Sequence, residues 1–200
     1  MSQSAYCKFL FSREQFLFCY IAVSNQPDRL PAIGHDGKYY SLLRTIESAT
    51  QGLQMAAKAS QNGHEVAITQ AGKNYIIWTQ EDAAVVYQPD QQSPISANVE
   101  NHIEPLKVTF SSSPCLILPN LSAESFCLLT VLNSVAPVMG FQHQQLYYRL
   151  IQREQDARTV VNSIAERACR GGEIAVIPMK NDYGIFVSDP SAIPTIQRNS

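Results

Sequence analysis

The chain repeats itself. Aligned without a gap at an offset of 108 positions, residues 39–84 and 147–192 are identical at ten of forty-six positions. The identities are Tyr39/Tyr147, Tyr40/Tyr148, Leu42/Leu150, Ala57/Ala165, Gly63/Gly171, Glu65/Glu173, Ala67/Ala175, Tyr75/Tyr183, Ile77/Ile185 and Ala84/Ala192. Apolar character persists where identity does not, as at Leu53/Val161, Val66/Ile174, Ile68/Val176 and Trp78/Phe186. Upstream, small gaps align SREQF (residues 12–16) with SAESF (122–126) and PAIG (31–34) with PVMG (137–140), and Cys7 falls into register with Cys115. A repeat of this length is one structural unit written twice, and each copy must bury its apolar faces against the other. The reading is therefore a tandem duplication with a pseudo-twofold axis: one repeat over residues 1–90, a Pro/Gln-rich linker over 91–104, and a second repeat over 105–200.

In the first copy apolar residues at 39, 42, 46, 49, 53 and 56 recur three and four apart, the one-sided pattern of an amphipathic helix, and the second copy gives Tyr147, Leu150, Ala157, Val161, Ile164 and Ala168. Gly63 and Gly171 follow as left-handed stops. Each such helix would run for about 24 residues, roughly 36 Å. Next come β-branched and aromatic runs flanking turn residues, EVAITQ–AGKN–YIIWTQ and EIAVIP–MKND–YGIFVS, which signal a hairpin. Pro178 removes a backbone donor, so its strand lies at an edge or ends there. FLFCYIAV and its counterpart FCLLTVLNSVA read as a shorter helix, opened in the first copy by the capping-box pair Ser12 and Gln15. YCKFLF and PCLILP supply one strand each. The expected unit is strand, helix, PxxG turn, long helix, hairpin. The expected fold class is α+β, with antiparallel sheet covered by helices.

The polar residues limit the chemistry. Fifteen basic and seventeen acidic residues leave a net charge of −2, and charged residues make up only 16% of the chain. Such a surface carries no strong field, so capture of nucleic acid or an anionic membrane is not expected. Phosphate-binding glycine loops, nucleophile elbows, zinc spacings and calcium loops are absent from the sequence. No cofactor, no metal and no catalytic residue is assigned. Five cysteines without a CxxC pair read as reduced core residues of a cytoplasmic protein. Cys169, between Arg167 and Arg170, is a weak candidate thiolate at the wrong end of a helix dipole. His35 and His143 are a second weak pair, at matching places in the two copies.

Partner-binding candidates come from the tyrosine doublets and from the difference between copies. On a helix, Tyr39 and Tyr147 would face the core, turning Tyr40 and Tyr148 toward the interface between copies or a partner. Arg149, Arg153, Arg158, Arg167 and Arg170 have uncharged counterparts in the first copy. Glu154–Arg158 and Glu166–Arg170 are spaced as i,i+4 pairs, which leaves Arg149 and Arg153 as the docking candidates for an acidic partner. The leading expectation is a non-enzymatic interaction, assembly or regulatory protein built as an internal pseudo-dimer. The alternative is a small-molecule or nucleotide-binding enzyme with its site in the cleft between repeats. Third is a nucleic-acid binder using the arginine-bearing helix.

Overall fold

A computed structural model of the chain describes residues 5–24, 28–86, 113–119, 121–132 and 134–195. The expected linker, 91–104, lies outside the described residues. The first half contains β1 (Ala5–Leu10), a 3-10 turn (Arg13–Gln15), β2 (Leu17–Val23), β3 (Leu30–His35) and β4 (Lys38–Ile46). It continues with α1 (Ala49–Gln61), β5 (Val66–Ala71), β6 (Asn74–Gln80) and β7 (Ala84–Val86). The second half contains β8 (Cys115–Ile117), a 3-10 turn (Ala123–Ser125), β9 (Phe126–Thr130), β10 (Val138–His143) and β11 (Leu146–Glu154). After these come α2 (Ala157–Cys169), β12 (Ile174–Pro178), β13 (Tyr183–Ser188) and β14 (Ile193–Pro194). No helix among the described residues is long and apolar enough to cross a membrane.

All fourteen strands among the described residues belong to one mixed sheet, ordered β14-β9-β10-β11-β13-β12-β8-β1-β5-β6-β4-β3-β2-β7. The halves join where β1 and β8 pair antiparallel, with Cys7 opposite Cys115. Those two cysteines are related by the 108-residue offset, so the pseudo-twofold axis passes between them. On either side of the seam the ladder turns parallel, β1 with β5 and β8 with β12. Every other pairing is antiparallel.

Chain length dictates that each end of the sheet rolls up. Three strands separate β6 from β7 in the sheet, a flat span of roughly 19 Å at about 4.8 Å per strand. The four Cα steps from Gln80 to Ala84 reach at most about 15 Å, so β4, β3 and β2 must curl. Inside the first roll, Leu10, Ala67, Trp78, Tyr40 and Ile33, from five successive strands, and Phe16, just before β2, form one buried cluster. Leu118, Ala175, Phe186, Tyr148 and Phe141, backed by Phe126, repeat it in the second roll. Both helices lie on the opposite face, over the seam. Their buried positions correspond one for one at the same offset: 49, 52, 53, 56, 57 and 60 in α1, and 157, 160, 161, 164, 165 and 168 in α2. These meet Cys7, Phe9, Val66, Ile68, Cys115, Ile117, Ile174 and Val176 in the largest cluster of the molecule. Truncating Leu53 or Val161 there would cost about 2–4 kcal/mol.

This corrects the expected α+β unit of helices covering a sheet. The described residues are dominated by one large sheet with two 13-residue helices on one face. The expected long helix begins at Ala49, because residues 38–46 form strand β4. A bulge misled the periodicity. Tyr40 and Leu42 share a face, the register slips between Leu42 and Arg44, and Ile46 emerges on the other side. One extra residue in a period-2 pattern imitates a period of 3.6. The second copy has the same slip between Leu150 and Gln152.

The segment expected as a short helix is β2, with β9 as its equivalent. Ser12 and Gln15 do make a reciprocal capping box, on a single 3-10 turn. PAIG is no turn: its residues lie in β3, where Pro31 sits opposite Tyr20 of β2 and one residue before the β3–β4 ladder begins at Ala32. PVMG is two residues out of structural register with it, since the ladders place Gly140 opposite Arg149 and Ala32 opposite Ser41. Gly63 and Gly171 do adopt left-handed φ values of 90° and 82° after the helices. Both hairpins form, and β12 ends at Pro178.

Three substitutions test this packing. At Gly52 in α1 an added Cβ would rest 3.8 Å from Tyr75 Cβ and 3.9 Å from Ile77 Cδ1, ordinary contact distances. Gly52→Ala should therefore stabilise by about 1 kcal/mol through helix propensity, raising Tm by roughly 2–4 °C. Gly140→Ala should destabilise by about 1–3 kcal/mol, because its Cβ would fall 2.2 Å from Leu129 Cδ1 and 2.5 Å from the Tyr148 carbonyl oxygen. The β10–β11 turn holds Gln145 at φ 71°, where the β3–β4 turn has Gly37 at 72°. Gln145→Gly should thus relieve about 1 kcal/mol of left-handed strain. Thermal and urea melts of the three variants check all of these signs.

Candidate functional site at the seam

The doublet tyrosines sit on strands, so alternate residues face opposite sides. Tyr40 and Tyr148, expected to face outward, are the buried members, at 0% and 1% exposure, whereas Tyr39 and Tyr147 are half-buried. Each buried tyrosine reaches a glutamate just before the strand two places away in the sheet, β5 for Tyr40 and β12 for Tyr148. Tyr40 Oη donates to Glu65 Oε1 at 2.6 Å, and Tyr148 Oη donates to Glu173 Oε2 at 2.8 Å. Burial, and then the hydrogen-bonded glutamate, push both phenols far above the ordinary tyrosine range. Both stay neutral donors. The conserved pair of identities at 65 and 173 is thus the polar end of each roll's core.

Around Glu65 the first copy builds a charge cluster. Lys8, on β1, lies 3.3 Å from Glu65 Oε1 and 3.4 Å from Asp36 Oδ2, and Lys38 Nζ donates to Glu65 Oε2. Burial acts to raise the Glu65 pKa, yet the hydrogen bonds from Lys38 and Tyr40 and the charge of Lys8 outweigh it, leaving the carboxyl below its usual range. His35 is buried beside this cluster, with Nδ1 2.6 Å from the Gln15 carbonyl oxygen and Nε2 2.9 Å from Asp36 Oδ2. The two weak histidine candidates therefore differ: His35 is sealed beside the β3–β4 turn, and His143 is half-buried, its pKa lowered by burial against the opposing pull of Glu173.

The arginine candidates lie on β11 instead of a helix. Arg149 Nε donates to Asp189 Oδ2 at 2.9 Å, and Arg153 Nη2 lies 2.7 Å from Asp182 Oδ2. Their opposite orientation follows from the strand and its bulge. The Arg149–Asp189 pair replaces Ser41 Oγ donating to Glu81 Oε1 at the equivalent positions of the first copy. Arg170 and Glu166 pair along α2 as their spacing suggested. Cys169 is exposed at the end of α2 and accepts from Gln15 Nε2 at 3.4 Å.

Two further surfaces were hidden in the sequence. An apolar strip continues the first roll's inner face outward to solvent: Phe18 at 63% exposure, Tyr20 at 58% and Val85 at 68%, with Pro31 and Leu42 beside them. Ladder partners share a face, which sets Tyr20 next to Pro31 and Val85 next to Ala22. Phe18 meets Trp78 at 6.1 Å between ring centroids, so the strip runs directly into the buried cluster. Reading residues 17–23 as a helix would scatter these side chains; only the strand alternation lines them up. The second surface is an open groove of about 680 Å³ beside α1, lined by Arg44, Gln51, Gln54, Met55 and Lys58 among others. All of its lining comes from the first half. Among the described residues no cluster of three or more His, Cys, Asp or Glu could hold a metal ion.

The Glu65 cluster makes stability depend on acid. Its folded pKa is depressed, so its contribution is complete above the unfolded value of about 4.3 and disappears as pH falls through the folded value. Glu65→Gln should be clearly less stable than the parent in urea melts at neutral pH, and the gap should close in acid. No family model matches this sequence, and no curated protein or solved structure is detectably similar to it.

Proposed function

We propose that the protein is a non-enzymatic binding protein whose partner, another protein, docks on the strip formed by Phe18, Tyr20, Pro31, Leu42 and Val85. The exposed strip carries this reading. Three large apolar side chains more than half exposed on one sheet end, contiguous with a buried aromatic cluster, are unusual on a surface that water must cover. Tyr and Phe are also the residues that supply interface anchors at low entropy cost. The polar groups support binding over chemistry. Lys8, Lys38, Asp36 and Glu65 neutralise one another, Arg149 and Arg153 hold Asp189 and Asp182, and both buried tyrosines are fixed as donors.

Tyr20→Glu tests the reading, since Tyr20 is exposed enough for the change to leave the fold intact. The wild-type protein, immobilised and incubated with native lysate, should retain a protein in stoichiometric amount, and the variant should lose it while melting at the parent's temperature. Loss of more than about 2 kcal/mol of binding is expected of a central aromatic anchor. Equal retention by both proteins, or retention by neither, contradicts the assignment.

A further inference from the structure

The two copies solve the same electrostatic problem differently. In the first, Glu65 receives Tyr40 Oη and two ammonium groups, from Lys8 and Lys38. The offset places Leu116 where Lys8 stands and Leu146 where Lys38 stands, and the ladders confirm both: Lys8 pairs with Ala67 as Leu116 pairs with Ala175, and His35 pairs with Lys38 as His143 pairs with Leu146. Glu173 keeps its tyrosine and is exposed, and no lysine or arginine among the described residues forms an ion pair with it.

We infer that Glu173, with Tyr148, Tyr6 and Gln144 around it, is a binding site for a primary ammonium group, the chemistry that Lys8 and Lys38 supply to Glu65 within the chain. The surroundings suit that ligand. Tyr6 lies beside Leu116 on the ladder, donates its hydroxyl to Gln144 Oε1 at 3.1 Å, and feels the charge of Glu173 after the larger effect of its own burial. Tyr6 and the flanking Leu146, both only partly buried, provide a ring face and aliphatic surface for the methylenes that carry an ammonium, while the carboxylate supplies the countercharge. With Leu at 116 and 146, neither lysine is there to meet the charge of Glu173; His143 feels that charge, but burial lowers its pKa and so favours the neutral ring. The site sits at the seam, away from the apolar strip at the outer end of the first roll, so it stands or falls independently of docking there.

The test is an NMR titration of the intact chain with N-acetyl-lysine methylamide, with n-butylamine as the free-amine arm and N-acetyl-norleucine methylamide as the uncharged control. Saturable shifts in the millimolar range are expected at Tyr6, Gln144, Tyr148 and Glu173 with the two amines, and none with the norleucine compound. A tighter fit for the lysine compound marks a partner's lysine as the source, and equal fits mark a small amine; both support the site. Glu173→Gln, an isosteric change at an exposed position, should weaken binding about tenfold or more through loss of a charged hydrogen bond. Leu146→Lys should fill the site from within and abolish the titration, reproducing the Lys38–Glu65 pair. An unchanged titration in either variant, or no saturable shift in the parent, overturns the assignment.

Discussion

Three residue pairs between β1 and β8 hold the architecture together. Without that short antiparallel ladder, each half would present an open edge and an uncovered helix layer. With it, both edges are paired and α1 and α2 share one apolar layer across the axis. Tyr183 Oη donates to Thr50 Oγ1 of the other half at 3.4 Å, which ties the two halves once more beside the helix layer. Small side chains at the axis make the approach possible: Ala56, Ala57 and Ala165 line the helix faces, and the two cysteines lie beneath. Burial raises both thiols far above the usual range, so neither is a nucleophile while the seam is closed.

The sequence carried the offset, the hairpins and the helix stops, because these depend on local turn chemistry and on repetition. What it concealed depends on sheet geometry. The bulges after Leu42 and Leu150 turned strand alternation into apparent helix spacing, and with it inverted the facing of Tyr40 and Tyr148 and moved Arg149 and Arg153 off a helix. Glu65 and Glu173 were visible as identities, but their partners come from strands adjacent only after the sheet is ordered. Lys8 is separated from Glu65 by most of the first half of the chain, and no spacing rule joins them. The apolar strip was hidden for the same reason: Phe18, Tyr20 and Val85 become neighbours only when β7 closes against β2.

Repetition here preserves the core more faithfully than the surface. The six buried positions of each helix coincide, and the roll interiors match residue for residue at Ala67/Ala175, Tyr40/Tyr148 and Trp78/Phe186. Divergence is concentrated at the hairpin tips and the seam, where Asp36-Gly37 faces Gln144-Gln145 and lysines face leucines. The outer ends remain alike in one respect: Tyr20 and Leu128, and Val85 and Ile193, are exposed apolar pairs at equivalent places.

The parallel pairing of β1 has a consequence for how the molecule is made. Its first partner, β5, lies some sixty residues further along the chain, and its second, β8, lies in the other half. Although β1 precedes both of its partners in the chain, its second edge stays open until β8, in the other half, has been made. Loop closure of that length slows folding, and until β8 arrives a completed first half carries an apolar, unpaired central edge. The nascent chain thus passes through a stage in which its future centre is its stickiest boundary, open to another chain's β1 or β8 as readily as to its own.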